Sequence, residues 1–144
     1  MIKTLFINHY LRAIPRVFVG LILISTGIGK ALDMPGFVTI LDGYQLLPYW
    51  FSVLLAYLLP FIELGVGISL LIAFKRCLIA WLAVLIHVLM LSVILWTLYR
   101  GIEVANCGCF GVFFARPLTP LTAIEDIVML SMSLLALLDA KTRE

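Results

Sequence analysis

The sequence predicts an all-α integral membrane protein folded as a four-helix bundle with short interfacial helices. Of the 144 residues, 64% are hydrophobic and only 12% are charged, whereas a soluble globular domain is about 45–50% apolar and about 25% charged. The mean hydropathy is +1.18. The apolar residues form four segments, each long enough to cross a bilayer, which takes roughly 20 residues. We therefore expect one membrane domain that covers residues 1–144.

The four predicted spans cover residues 12–32, 50–74, 77–99 and 121–138. The first is expected to remain as a span, because its apolar run is too long for a cleavable signal peptide. Two shorter stretches, residues 2–10 and 35–44, carry apolar side chains at the i, i+3, i+4 spacing of one helix face. We expect both to form helices that lie along the membrane surface.

The basic residues predict the orientation of the spans. Seven fall on the side that holds both termini: Lys3, Arg12, Arg16, Lys75, Arg76, Lys141 and Arg143. Three fall on the other side: Lys30, Arg100 and Arg116. The positive-inside rule then places both termini in the cytoplasm and the loop after the third span in the periplasm of a bacterial inner membrane. A net charge of +2 gives no basic patch for nucleic acid, so we expect none as a partner.

Two cysteines in this outward loop are the strongest chemical signal. Cys107 and Cys109 are separated by Gly108 alone. A disulfide in so small a ring departs from relaxed geometry and is easily reduced, which suits electron exchange in an oxidising compartment. Two alternatives remain open: the disulfide pins the loop, or the two thiolates hold Cu(I). Cys77 lies at the opposite membrane face and is expected to be a buried apolar residue.

Two ionisable residues fall in the middle of the predicted spans. Glu63 and His87 lie at the same distance along the second and third spans from the inner boundary. We expect a hydrogen bond between them, which lowers the cost of burying both. Because intramembrane ionisable groups are functional candidates, the pair is also a candidate proton or quinone site.

Three basic residues are candidates for stabilising a thiolate. Lys30 ends the first span, and it can either snorkel to the headgroups or lower the pKa of a cysteine. Arg100 and Arg116 flank the cysteine pair and compete for that role.

Small residues at four-residue spacing predict where helices pack closely. They occur at Gly65, Ser69 and Ala73 on the second span.

Five motifs occur in a recognisable order along the chain. They are Gly27-x-x-Lys30, Tyr44-x-Leu46-Leu47-Pro48, Leu59-Pro60-x-x-Glu63-Leu64, Arg100-Gly101 and Cys107-Gly108-Cys109-Phe110-Gly111. In these motifs the sequence resembles the MauE branch of the DoxX-like membrane proteins. The resemblance implies a four-helix membrane protein of methylamine utilisation. It implies action with a thioredoxin-like partner, MauD, in maturing the disulfide-rich small subunit of periplasmic methylamine dehydrogenase, and it links the wider group to quinones.

Together these observations predict a membrane thiol–disulfide redox protein. Cys107 and Cys109 would exchange electrons with a thioredoxin-fold partner, and Lys30 or Arg100 would stabilise the thiolate. Glu63 with His87 would serve a proton or a quinone. A non-catalytic scaffold of a maturation complex and a Cu(I)-handling protein are the competing hypotheses. Neither the order of attack nor the direction of electron flow follows from the sequence.

Overall fold

The computed structural model describes residues 2–142, with side chains from residue 13 onward. Lys3, Arg12 and Arg143 of the charge count therefore lie outside the described side chains. Five helices and no strand occur within the described residues: α1 (Ile2–Ala31), α2 (Met34–Gly43), α3 (Tyr49–Leu71), α4 (Arg76–Tyr99) and α5 (Pro120–Lys141). Ala13–Ala31 of α1 and the whole of α3, α4 and α5 are long and apolar enough to cross a membrane. This confirms the all-α class and the four spans of a multi-pass membrane protein.

The helix predicted over residues 35–44 is confirmed as α2, and its place along the membrane surface stays a prediction. The Asp33 carboxylate caps its first turn by accepting the Gly36 N–H at 2.9 Å, and Pro35 occupies that turn. Two residues of α2, Phe37 and Val38, are buried. The prediction of a separate N-terminal helix was wrong, because residues 2–14 form the first part of the continuous helix α1. That stretch contains no glycine or proline that would end a helix, and Pro15 after it lies inside α1.

The bundle consists of two helix pairs. The pair of α1 with α3 and the pair of α4 with α5 make the main contacts, and α1 joins the pairs by packing on α5. Gly20 and Gly67 let α1 and α3 approach so closely that a Cβ on either would touch the backbone carbonyl of the other. Gly27 packs in the same way on the carbonyl of Pro60. Close backbone approach at small residues is how membrane helices associate.

The predicted packing line through Gly65 was wrong. Gly65 is exposed, and a Cβ there would meet nothing within 4 Å. The buried face of α3 instead includes Pro60, Glu63, Gly67 and Leu70, which follows the i, i+3, i+7 period of a helix. Glu63 is therefore on the face that packs against the bundle.

The two ends of the bundle differ in charge and in chain connections. We call the end that carries α2 and the segment of residues 100–119 the loop end. At the opposite end, where α3 ends, the Arg16 guanidinium donates to the Leu70 carbonyl at 2.7 Å, beside the bond that this carbonyl accepts from the Ala73 N–H at 3.3 Å. The cysteine pair thus lies at the loop end, and Arg16 joins α1 to the end of α3 at the opposite end of the bundle.

Candidate functional site

The segment that holds the cysteine pair is irregular in backbone but fixed by hydrogen bonds. The Cys107 N–H donates to the Arg116 carbonyl at 2.7 Å, and the Leu118 N–H donates to the Val104 carbonyl at 2.9 Å. From the end of α2, the Tyr44 hydroxyl donates to the Cys107 carbonyl at 2.6 Å. These bonds hold the backbone of Cys107 from two directions.

A tight turn places the two cysteine side chains together. Asn106 Oδ1 accepts the Gly108 N–H at 3.0 Å, and the Gly111 N–H donates to the Gly108 carbonyl at 3.1 Å. Gly108 has φ +70°, a left-handed conformation that glycine adopts without strain. The result is a hydrogen bond from the Cys109 thiol to the Cys107 sulfur.

The hydrogen bond between the thiols separates their acidities. It lowers the pKa of Cys107 to about 6, with further help from the Cys109 N–H and the charge of Arg116 and against the effect of burial. The same bond, together with burial, raises the pKa of Cys109. At neutral pH the pair therefore holds one thiolate, on Cys107, and one thiol. Cys107 is 7% exposed and Cys109 is half-buried.

The turn docks backbone to backbone on the last turn of α1. A Cβ on Gly29 would collide with the Phe110 carbonyl, and a Cβ on Gly111 would collide with the Gly29 carbonyl. This contact brings Lys30 into electrostatic range of Cys109. Of the basic candidates on the helices, Lys30 is thus the one in electrostatic range of Cys109.

Lys30 does not snorkel to the headgroups, so that expectation was wrong. Its Nζ forms a buried ion pair with Glu63 Oε1 at 2.5 Å, with the two side chains 4% and 3% exposed. Thr26, one turn earlier on α1, donates its hydroxyl to Glu63 Oε2 at 3.0 Å. Because side chains on a helix lean toward its N-terminus, Lys30 reaches down to the level of Thr26 and meets Glu63 on α3.

The expected hydrogen bond between Glu63 and His87 was also wrong. His87 Nδ1 lies 2.8 Å from the Ala83 carbonyl and 3.1 Å from Ser133 Oγ, in the contact between α4 and α5. A Glu63 carboxylate paired with Lys30 accepts hydrogen bonds, whereas a quinone carbonyl needs a donor. The two residues therefore do not form a shared site and do not fit a quinone.

The two arginines that flank the loop have different surroundings. Arg116 lies in electrostatic range of Cys107, and its guanidinium makes a bidentate pair with Glu125 at 3.2 and 2.5 Å. Arg100 donates to the Gln45 carbonyl at 3.0 Å and is exposed. The structure therefore brings Arg116 to the cysteine pair and leaves Arg100 at the end of α2.

Sequence reasoning did not select Asp126. It lies in the second turn of α5, and its carboxylate is in electrostatic range of both Lys30 and Cys109. Within the described part of the chain, Asp126 Oδ2 is buried and has no hydrogen-bond partner. An acidic residue at the start of an apolar span was the available signal.

A protein-family comparison identifies the family of this chain. The family model described as "Methylamine utilisation protein MauE" matches residues 8–139, which include all the site residues above. The chain belongs to the MauE family. No solved structure matches it.

Three relatives carry the name "Methylamine utilization protein MauE". The protein of Methylophilus methylotrophus is 34% identical over 93 residues, which are 65% of this chain and 49% of the relative. That of Methylorubrum extorquens is 31% identical over 110 residues, 76% of this chain and 59% of the relative. That of Paracoccus denitrificans is 22% identical over 119 residues, which are 83% of this chain and 64% of the relative. The chain thus spans between about half and two thirds of the length of these MauE relatives.

Proposed function

We propose that this chain is a membrane thiol–disulfide redox protein whose Cys107 and Cys109 exchange electrons with a thioredoxin-fold partner. The observation that carries the proposal is the tight turn, which is fixed by the Asn106 side chain and the left-handed Gly108 and brings the free thiols of Cys107 and Cys109 together. Hydrogen bonding from Cys109 lowers the pKa of Cys107 to about 6 and so favours a thiolate there. The thiolate is the nucleophile of disulfide exchange, and a pKa near ambient pH gives the best attacking thiol.

The exchange takes two steps. The Cys107 thiolate attacks one sulfur of the partner's disulfide, and the other partner sulfur leaves as a thiolate. Cys109 then gives up its proton and attacks the Cys107 sulfur, so the Cys107–Cys109 disulfide forms and the second partner thiol is released. Two electrons pass from the loop to the partner. The reverse sequence oxidises the partner instead, and the partner's reduction potential sets the direction.

The fold supports a periplasmic placement of the loop end. Of the described basic side chains, Arg16, Lys75, Arg76 and Lys141 lie at the end opposite the cysteines. We therefore propose an inner-membrane protein with cytoplasmic termini and a periplasmic cysteine pair. The names of the relatives suggest a role in methylamine utilisation, and we propose that the exchange supports maturation of a periplasmic enzyme of the methylamine dehydrogenase type with a MauD-like partner.

A non-catalytic scaffold is the second candidate. Phe113 and Phe114, which follow the cysteine turn, are 65% and 70% exposed. Exposed aromatic side chains suit a docking surface, and such a surface needs no reactive thiol. The scaffold hypothesis therefore predicts that maturation survives loss of both cysteines.

Thiol trapping in intact cells separates these functions. A membrane-impermeant maleimide should modify Cys107 and Cys109 in reduced cells and neither residue in oxidised cells. The Cys107→Ser/Cys109→Ser variant should accumulate at the normal level while the redox state of the partner shifts. Cys77→Ser, at the opposite end of the bundle, is the matched control. An unchanged partner in the double variant would support the scaffold, whereas one Cu(I) per reduced purified chain would support metal handling.

A further inference from the structure

Asp126 combines burial, charge and an unpartnered oxygen beside the reactive thiols. Its Oδ2 is buried without a hydrogen-bond partner among the described residues, an arrangement that is costly and rare in native proteins. Salt bridges hold two neighbouring carboxylates, Glu63 with Lys30 and Glu125 with Arg116. Among the described residues, no salt bridge or hydrogen bond holds the buried Oδ2 of Asp126, so this oxygen can accept a proton.

The surroundings of Cys109 are charged on several sides. The groups that face it come from four elements: Lys30 on α1, Tyr44 after α2, Asp126 on α5 and Arg116 in the loop. Lys30 is held in turn by Glu63 on α3. Cys109 packs on the apolar cluster that includes Ala123, which lies one turn before Asp126 on α5. The Asp126 carboxylate is in electrostatic range of both Lys30 and Cys109.

We propose that Asp126 is the general base that takes the proton of Cys109 in the second step of the exchange, an inference that rests on the proposed function. The Cys109 S–H bond breaks as its sulfur attacks Cys107, and the proton moves through one water to the Asp126 carboxylate, whose Oδ2 makes no direct hydrogen bond within the described part of the chain. The new bond joins the two cysteine sulfurs, and the partner leaves as a thiolate. One negative charge stands on Asp126 before the step and on the departing thiolate after it, so the step balances.

This role agrees with the different acidities of the two thiols, because only Cys109 needs a base to remove its proton. Cys107 is already a thiolate near neutral pH, whereas Cys109 keeps its proton because the hydrogen bond to Cys107 and burial raise its pKa. A positioned base typically accelerates such a proton transfer by about 10²–10⁴-fold. Loss of Asp126 should therefore slow the second step and spare the first.

Reaction with 5,5′-dithiobis(2-nitrobenzoate) resolves the two steps. In a full chain carrying Cys77→Ser, attack by Cys107 releases the first thionitrobenzoate, and attack by Cys109 on the mixed disulfide releases the second. Asp126→Asn should slow the second release at least about tenfold near neutral pH and leave the first within about twofold. The deficit should shrink at alkaline pH, where hydroxide replaces the base, and Asp126→Glu should restore part of the rate.

Asp42→Asn is the matched control, because Asp42 is an exposed residue at the same end of the bundle. An unchanged second release in Asp126→Asn, or equal slowing of both releases, would overturn the inference while leaving the proposed function intact. If Asp126→Asn does not fold, the two release rates of the parent chain are compared in light and heavy water. Only the second release should be slower in heavy water, and the absence of any slowing overturns the inference. If the parent chain releases nothing, the proposed function fails, and this inference fails with it.

Discussion

Removing one partner of the buried ion pair between Lys30 and Glu63 should destabilise the bundle strongly. The two charged atoms lie 2.5 Å apart, and the side chains are 4% and 3% exposed. Glu63→Gln keeps the shape and an acceptor for Thr26 but leaves the buried Lys30 ammonium without its salt-bridge partner. Loss of one partner of a buried pair costs about 3–5 kcal/mol, so we expect a reduction of that size in the free energy of unfolding.

The double variant Lys30→Met/Glu63→Leu separates the charge effect from packing. With both charges gone, neither member of the pair is left as an uncompensated ion, and replacement of a buried pair by apolar residues is often neutral or stabilising. The remaining cost is that Asp126 loses the attraction of Lys30. Thr26 keeps a partner because its hydroxyl can turn its one hydrogen to the Leu23 carbonyl, 3.1 Å away. We therefore expect the double variant to be clearly more stable than Glu63→Gln.

Reversible unfolding of the purified chain in mixed micelles provides the assay. Glu125→Gln is the control, because its pair with Arg116 is 43–45% exposed and such surface pairs contribute about 0–1 kcal/mol. The reasoning is refuted if Glu63→Gln costs no more than this control, or if the double variant is as unstable as the sum of its two single changes.

Three further predictions concern the cysteine turn. Cys109→Ala removes the hydrogen bond that lowers the pKa of the remaining loop thiol to about 6. Its alkylation by iodoacetamide should then fall about twofold to threefold near neutral pH, because a roughly 30-fold loss of thiolate is largely offset by a roughly tenfold gain in thiolate nucleophilicity, and it should rise steeply as pH approaches the usual thiol pKa of about 8.5; a rate that does not depend on pH across this range would contradict it. Arg116→Gln should lower the same alkylation rate slightly, an effect that vanishes at high salt, whereas Arg100→Gln should have no effect at any salt concentration. Gly29→Ala should displace the turn from α1 and change the alkylation rate, while Gly65→Ala, which faces open space, should change neither the rate nor the fold, as circular dichroism would show.

Length and hydropathy were sufficient to predict the spans and the fold class. Each span is a long apolar run, and a membrane leaves the backbone of such a run few structures besides a helix. The cysteine turn was also visible in the sequence, because glycines beside two cysteines mark a tight loop in any context. These features depend on local sequence alone.

The partners of the buried charges could not be predicted in the same way. Equal depth on consecutive spans suggested that Glu63 would meet His87, but α3 packs mainly on α1 and makes few contacts with α4. Glu63 therefore meets Lys30, and His87 meets Ser133 on α5. The order of spans along the chain does not determine which helices are neighbours. Nor does the position of a lysine near a helix terminus determine whether its ammonium group is exposed or buried.

The claim that Cys107 and Cys109 form a redox pair is tested most directly by equilibrating the purified full chain in glutathione buffers of graded potential. Rapid alkylation and intact mass spectrometry then count the free thiols at each potential. We predict one reversible transition in which both thiols appear and disappear together, as a two-electron couple requires, and in which Cys77 does not take part. Two thiols that stay free at every potential, or a disulfide that no buffer reduces, would contradict it.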